Sequence, residues 1–340
     1  MPPQWGDNLA EPPRFRAEPE DFRVDEIALY DPTGTGDHTF LRIEKRLLTS
    51  DGVARQLAAA VGVPARDVGY AGRKDRAAVT TQWMSVPGLD PEEALKLDFK
   101  GVRVLEAVRH PHKLRTGQLR GNRFSILIRG ASEEVEENAR EALTGILERG
   151  MANRFGTQRF GHGGRNAAVG REILAGRREA RDRRKARFMV SALQSEVFNR
   201  VLAERPLPLD QVAEGDVAQV VDSGGLFLVE DMAVENERAK AFEISATGPI
   251  FGTKMKAPEG EPARREAEIL VAMGIPAAED LVSPRGIRLA GARRALRVRP
   301  QDMSLIREEE SLRLEFGLPP GSYATVLLEE LFGDLQEGRG

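Results

Sequence analysis

The amino-acid sequence predicts an α+β chain: an α/β-type mixed sheet with helices, interrupted by an inserted second domain. Three observations lead there. Strand-like and helix-like periodicities alternate through the first 150 residues or so. After GRREARDRR (176–184) the chain turns acidic and is punctuated by glycine and proline to about residue 299. LRLEFGLPPGSYATVLLEELF (312–332) then restores a strand, a tight turn and a helix. The expected layout is a core of residues 1–178 plus 300–340 that closes around an insertion of 179–299.

Each element follows from local chemistry. HTFLRIEKR (38–46) reads as a strand, and VARQLAAAV (53–61) as a helix capped by Thr49 or Ser50 and stopped by Gly62. DVGYAG (67–72) and VTTQWMSV (79–86) are short β runs on either side of a Lys74-Asp75 turn. GVRVLEAVRH (101–110) and NRFSILIRG (122–130) read as strands separated by the basic loop PHKLRTGQLRG. Ser132 caps an acidic-starting helix that ends near Arg149 at Gly150. ARFMVSALQSEVFNRVLAE (186–204) reads as a helix opening the insertion.

The chain has 340 residues, 41% of them hydrophobic, enough for a sizeable core. The absence of cysteine excludes disulfides and thiolate metal sites. MPPQWGDNLAEPPRF lacks the pattern of a signal peptide, and no apolar run approaches the roughly 18 residues of a membrane helix. A cytoplasmic protein without a membrane is expected.

The net charge of −3 conceals a polarised distribution. Ala107 to Gly130 carries six Arg or Lys and no acid, and Arg149 to Arg178 carries seven Arg against Glu172 alone. Glu204 to Glu237 inverts the sign, with nine acids against Arg205. A general preference for arginine (41 against 9 lysines) would spread cations evenly; it would not strip acids from two windows. Because the basic blocks also hold Phe124, Phe155 and Phe160, they offer cations for phosphates beside rings for bases.

Familiar cofactor signatures are missing. There is no P-loop, no dinucleotide fingerprint in GTGDHT (34–39) and no nucleophile elbow; His38, His110, His112 and His162 show no metal-ligand spacing. Asp75 stands out between Arg73, Lys74 and Arg76. It reads either as a solvated turn residue or as a carboxylate kept ionised for chemistry, suited to a nucleophile and not to a general acid. In ANRFGTQRFGHGGRN (152–166), Phe155 and Phe160 alternate with arginines among glycines, as a core plug or as a platform for a base.

GYAGRKDRAAVTTQ (69–82) and NRFGTQRFGHGG (153–164) resemble the two signature motifs of the TruD family of tRNA pseudouridine synthases. PEDFRVDE (19–26), VRHPHKLRTGQLRGNRF (108–124) and LPPGSYAT (318–325) extend the resemblance in the family's order. It implies a pseudouridine synthase core with a family-specific inserted domain, the two walling a cleft. It also implies isomerisation of a uridine in tRNA, at position 13 in bacterial members, without cofactor or metal.

By motif position Asp75 corresponds to the catalytic carboxylate, with Asn153, Phe155, Phe22 and Tyr323 around the target base. Tyr323 stands where a bacterial relative has phenylalanine. Its hydroxyl either donates a hydrogen bond or faces solvent. Lys74 is the candidate partner that keeps Asp75 charged, although neighbours in extended chain point oppositely. Arg109, Lys113, Arg115, Arg120 and Arg159 are candidate phosphate contacts, and a monomer is expected. The competing readings are a non-catalytic RNA-binding protein or RNA chaperone and a metal-dependent nuclease. The first has no need of an acid among cations, and the second needs carboxylates that the basic blocks lack.

Overall fold

The computed structural model describes residues 12–179, 182–276, 280–284, 286–333 and 335–338. They divide into two compact units. One comprises the residues up to Ala142 with Pro300–Ala324 and those from Leu328 on; the other comprises Leu143–Arg299 with Thr325–Leu327. The stretch bearing Asn153 and Phe155 thus groups with the acidic segment.

The first unit is built on an eleven-stranded mixed sheet among the described residues. Its main path runs Gln301–Glu308, Ser311–Leu318, Leu119–Arg129, Phe22–Ala28, Val79–Pro87, His38–Arg46, Val102–His110, Asp98–Phe99. Along that path Phe22–Ala28 and Val79–Pro87 pair in parallel, with Arg23 opposite Val79. The remaining pairs on it are antiparallel. A parallel neighbour demands a long crossover, and residues 29–78 supply it, including the Ser50–Val61 helix. Thr49 caps that helix by accepting from Gly52, and Gly62 ends it at φ 71°.

Val53, Leu57 and Ala58 of the helix pack on Leu41, Ile43, Met84 and Val86 of the sheet. The two-residue period of His38–Arg46 puts Thr39, Leu41 and Ile43 in phase inside. The next residue in that phase is Lys45, wholly buried.

Two elements were not read from the sequence. Phe22–Ala28, part of a motif, is a strand that lies mid-sheet. Arg165–Leu174, after the glycine-rich stretch, is a helix.

In the second unit a four-stranded antiparallel sheet (Leu226–Leu228, Val217–Val220, Ile244–Ile250, Ala292–Ala295) packs with the 21-residue helix Arg183–Ala203. Leu193 and Val197 meet Ile269 and Met273, while Phe198 joins Ala218, Ile244 and Leu296. A helix apolar on two sides has to be central.

Arg165–Leu174 crosses it at Gly170, where an added Cβ would lie 2.2 Å from the Met189 carbonyl oxygen. Gly170→Ala is therefore expected to cost about 1–3 kcal/mol through overpacking, read as a lower urea midpoint by circular dichroism. An unchanged midpoint would mean that the two helices separate freely. No helix among the described residues is long and apolar enough to cross a membrane.

Candidate active site

Between Gly69–Tyr70 and Val79–Pro87 the chain has no regular structure, so its backbone groups need other partners. Buried side chains provide them. Gln82 Nε2 donates to the Gly72 carbonyl at 3.4 Å. Ser50 Oγ accepts from Lys74 N at 3.0 Å and donates to Gln82 Oε1 at 2.6 Å. Lys45 Nζ donates to the Asp75 carbonyl at 2.8 Å and to the Leu48 carbonyl at 2.7 Å. Gly117 N binds the Ala71 carbonyl at 2.8 Å, fastening the basic loop to the same segment.

Asp75 projects from this clamped loop with its side chain 38% exposed. Its Oδ2 accepts from Arg16 Nη2 at 2.6 Å, while the other nitrogen, Nη1, reaches Glu337 Oε1, also at 2.6 Å. The Arg16 side chain is only 4% exposed, and its guanidinium lies 3.8 Å above the Phe22 ring. Phe22, expected at the target base, is 1% exposed and packs edge-on against Phe124. It meets Arg16 directly and Asp75 only through it.

Lys74 is engaged elsewhere than Asp75. Its Nζ pairs with Glu26 Oε2 at 2.5 Å, both side chains being buried. The second cation under the loop is Lys45. Burial pushes its pKa down to about 8, opposed by the Asp75 carboxylate and assisted by Lys74. Half-buried Tyr323 stands at the N-cap position of Ala324–Phe332.

The second unit holds the other aromatic motif. Asn153 is 5% exposed; its Nδ2 donates to the Ala295 carbonyl at 2.9 Å, and its Oδ1 accepts from Arg294 Nη2. These bonds fix the amide's orientation. The Phe155 main chain is gripped at both N and O by Asn199, each bond 2.8 Å. The half-buried ring carries Arg294 4.2 Å from its centre and meets Phe198 edge-on.

Of the candidate phosphate contacts, Arg115 and Arg120 are exposed, and Arg120 Nε also reaches the Leu29 carbonyl at 3.2 Å. Lys113 donates to the Arg66 carbonyl, and Arg109 lies 3.7 Å from Asp90. Arg159 donates to Ser191 and Ser195 of the central helix.

Sequence reasoning passed over Arg16, Glu26, Lys45 and Arg294. Lys45 did leave a signal: a lysine in the core-facing phase of an apolar strand. Arg16 left none, because it lies 59 residues from Asp75.

Comparison with known proteins adds to this geometry. A family model described as tRNA pseudouridine synthase D (TruD) matches residues 12–183 and 180–331. Over 325 residues the chain is 46% identical to tRNA pseudouridine synthase D of Anaeromyxobacter sp. (strain Fw109-5), covering 93% of this chain and 91% of that protein. It is 44% identical to the protein of the same name from Thermus thermophilus, over 93% of this chain and 88% of that one. A crystal structure described as a putative tRNA pseudouridine synthase D (TruD) from Methanosarcina mazei superposes with a TM-score of 0.76. It covers 95% of this chain and 94% of that chain at 24% identity, a likeness of fold.

Proposed function

The chain belongs to the TruD family of tRNA pseudouridine synthases, isomerases of uridine in tRNA, and from that premise we propose that Asp75 is its catalytic carboxylate. One observation carries the assignment: a part-exposed carboxylate whose main chain and one oxygen are held by buried cations, Lys45 and Arg16. Arg16 stabilises the anion and orients it through Oδ2; Oδ1 receives no bond from any described residue. Phe22 supports the flat guanidinium from beneath.

Two routes suit that anion. Oδ1 bonds to C1′ as the N1–C1′ bond breaks, the uracil leaving with the electron pair. After turning, the uracil bonds through C5 to C1′ and releases the carboxylate; C5 loses its proton and N1 gains one. Alternatively Asp75 takes a proton from C2′ as the N1–C1′ bond breaks, giving a glycal and free uracil; C5 then bonds to C1′ as Asp75 returns the proton to C2′, and again C5 loses its proton and N1 gains one. Substrate and product are isomers, so neither route consumes a cofactor.

The uridine has to leave its stack, at a cost of a few kcal/mol. We assign Phe155 to stacking on the extruded base, with Asn153 orienting it and Tyr323 and Lys74 supporting the pocket. The uridine is that of position 13 by family analogy, and the enzyme works as a cytoplasmic monomer with 179–299 as the family's inserted domain. Incubation with unmodified tRNA and carbodiimide-blocked primer extension tests this. A stop at position 13 is expected; RNA binding without any stop, over a range of RNAs, would leave a binding protein instead.

Arg115, Arg120, Arg109, Lys113 and Arg159 are assigned to tRNA phosphates. Arg115→Ala with Arg120→Ala is expected to weaken tRNA uniformly and to reduce the slope of log affinity against log salt by about 2. Filter binding between 50 and 200 mM salt, concentrations where such slopes are read, decides it. An unaltered slope removes the basic loop from the interface.

A further inference from the structure

Beside the Asp75 loop, in the same unit, is a shallow depression lined by Glu26, Tyr30, Phe40, Trp83, Leu114 and Gln118. Its walls are packed rings. Tyr30 stacks on His110 at 5.2 Å with 20° between the rings, and Phe40 lies 6.3 Å from Trp83. Burial holds His110 below its ordinary pKa. Gly34 N binds the Arg109 carbonyl at 2.9 Å. A Cβ on Gly36 would come within 2.4 Å of Pro111 Cα, so the loop after Tyr30 lies tight on the basic loop.

A satellite of the core would hide its polar heads or satisfy them. Here Tyr30 Oη, Trp83 Nε1 and Gln118 Nε2 donate no bond to any described residue. Gln118 is nonetheless oriented, because its Oε1 accepts from Arg115 N at 2.6 Å. Glu26, the one acid, is neutralised by Lys74. Two exposed arginines are bonded to its lining, Arg115 through its main-chain N to Gln118 and Arg120 through Nε to the Leu29 carbonyl, in a stretch from Ala107 to Gly130 without an acid. The part-exposed rings of Tyr30 and Trp83, unpaired donors and neighbouring arginines complement a planar, hydrogen-bonding ligand on an anionic backbone.

The depression is tied to the reaction centre by two links. Glu26 bonds Trp83 N at 3.2 Å and Lys74 Nζ, next in sequence to Asp75. The basic loop is fastened to Ala71. We propose that this depression is a subsite for one nucleobase adjacent to the target uridine, stacked on Tyr30 and Trp83 and read at its edge by Gln118, with its phosphates on Arg115 and Arg120. The inference rests on Asp75 marking the target uridine.

The test uses full-length protein carrying Trp5→Phe, which leaves Trp83 as the chain's single indole. Oligoribonucleotides with the target site are titrated, intact or with an abasic nucleotide at each position flanking the uridine. Trp83 emission is expected to change with intact RNA and to fail to change with one abasic variant. Tyr30→Ala and Gln118→Ala are expected to raise KM for intact RNA roughly tenfold at unchanged kcat, and to lose nothing more with that abasic RNA.

Emission indifferent to every abasic position, or variant and abasic losses that multiply at all positions, would overturn the subsite. So would variants that lose kcat at unchanged KM. If the variants fail to fold, the emission series alone decides. An active Asp75→Asn enzyme would remove the catalytic assignment, whereas a missing base dependence in an active wild type removes only the subsite.

Discussion

Asp75→Asn is expected to lower the single-turnover rate of pseudouridine formation by on the order of 10⁴-fold or more, while tRNA affinity stays within about threefold. The substitution keeps shape and volume and removes only the charge. A neutral amide neither attacks C1′ nor takes a proton from C2′, so both routes stop together. Binding persists because phosphate contacts dominate affinity for nucleic acid. The fold persists too: Asp75 is 38% exposed, so its pair with Arg16 is partly screened by solvent. Tritium release from C5-labelled tRNA measures the rate, and filter binding measures the affinity. Activity within tenfold of wild type would end the case for Asp75.

Lys45→Met is expected to lower kcat by about 10²-fold at unchanged KM, because the ammonium holds the Asp75 main chain and touches no substrate. Displacement of a catalytic group by about 1 Å is enough for such a loss. Titration of Lys45 gives the role its signature. Its folded pKa of about 8 lies below the ordinary 10.5. Between those values the unfolded chain binds more protons, so this group's contribution to stability rises with pH there; below pH 8 its full cost of burial is present.

Activity moves the other way. As Lys45 loses its proton near pH 8, the bond to Asp75 weakens and kcat falls. Wild type should therefore show an alkaline limb in kcat near pH 8 that Lys45→Met lacks, and the variant should lose the stabilisation that wild type gains between pH 8 and 10.5. A wild-type profile flat from pH 7 to 9.5 contradicts this role, whether or not the variant folds.

Legibility in the sequence followed the range of the interactions. The Ser50–Val61 helix was readable from Thr49 and Gly62, because caps act within one turn. His38–Arg46 was readable from its alternation. Phe22–Ala28 was not: buried Phe22 and Val24 alternate with exposed Arg23 and Asp25 for barely two periods before the pattern fades. Strands such as Val217–Val220 and Leu226–Leu228 are too short to establish a period at all.

The same division runs through the candidate residues of each unit. Asp75, Asn153 and Phe155 lie in contiguous motifs, but their cations come from elsewhere. Arg16 lies 59 residues from Asp75, Lys45 lies 30 away, and Arg294 lies 141 from Asn153. Nothing local distinguishes a buried guanidinium from the many exposed ones. Lys74 shows the opposite: adjacency in sequence suggested a pair with Asp75, and its ammonium meets the distant Glu26 instead.

Arg16 binds Glu337, 321 residues away, and Gln336–Glu337 pairs in parallel with Arg14–Phe15. Translation delivers those two partners 321 residues apart. The side-chain bonds of Lys45, Ser50 and Gln82 to the Asp75 loop join residues 45 to 82, whereas the Arg16 that meets Asp75 gains its second carboxylate only once residue 337 has been made. The loop and the arginine beside it are therefore completed at different times in synthesis.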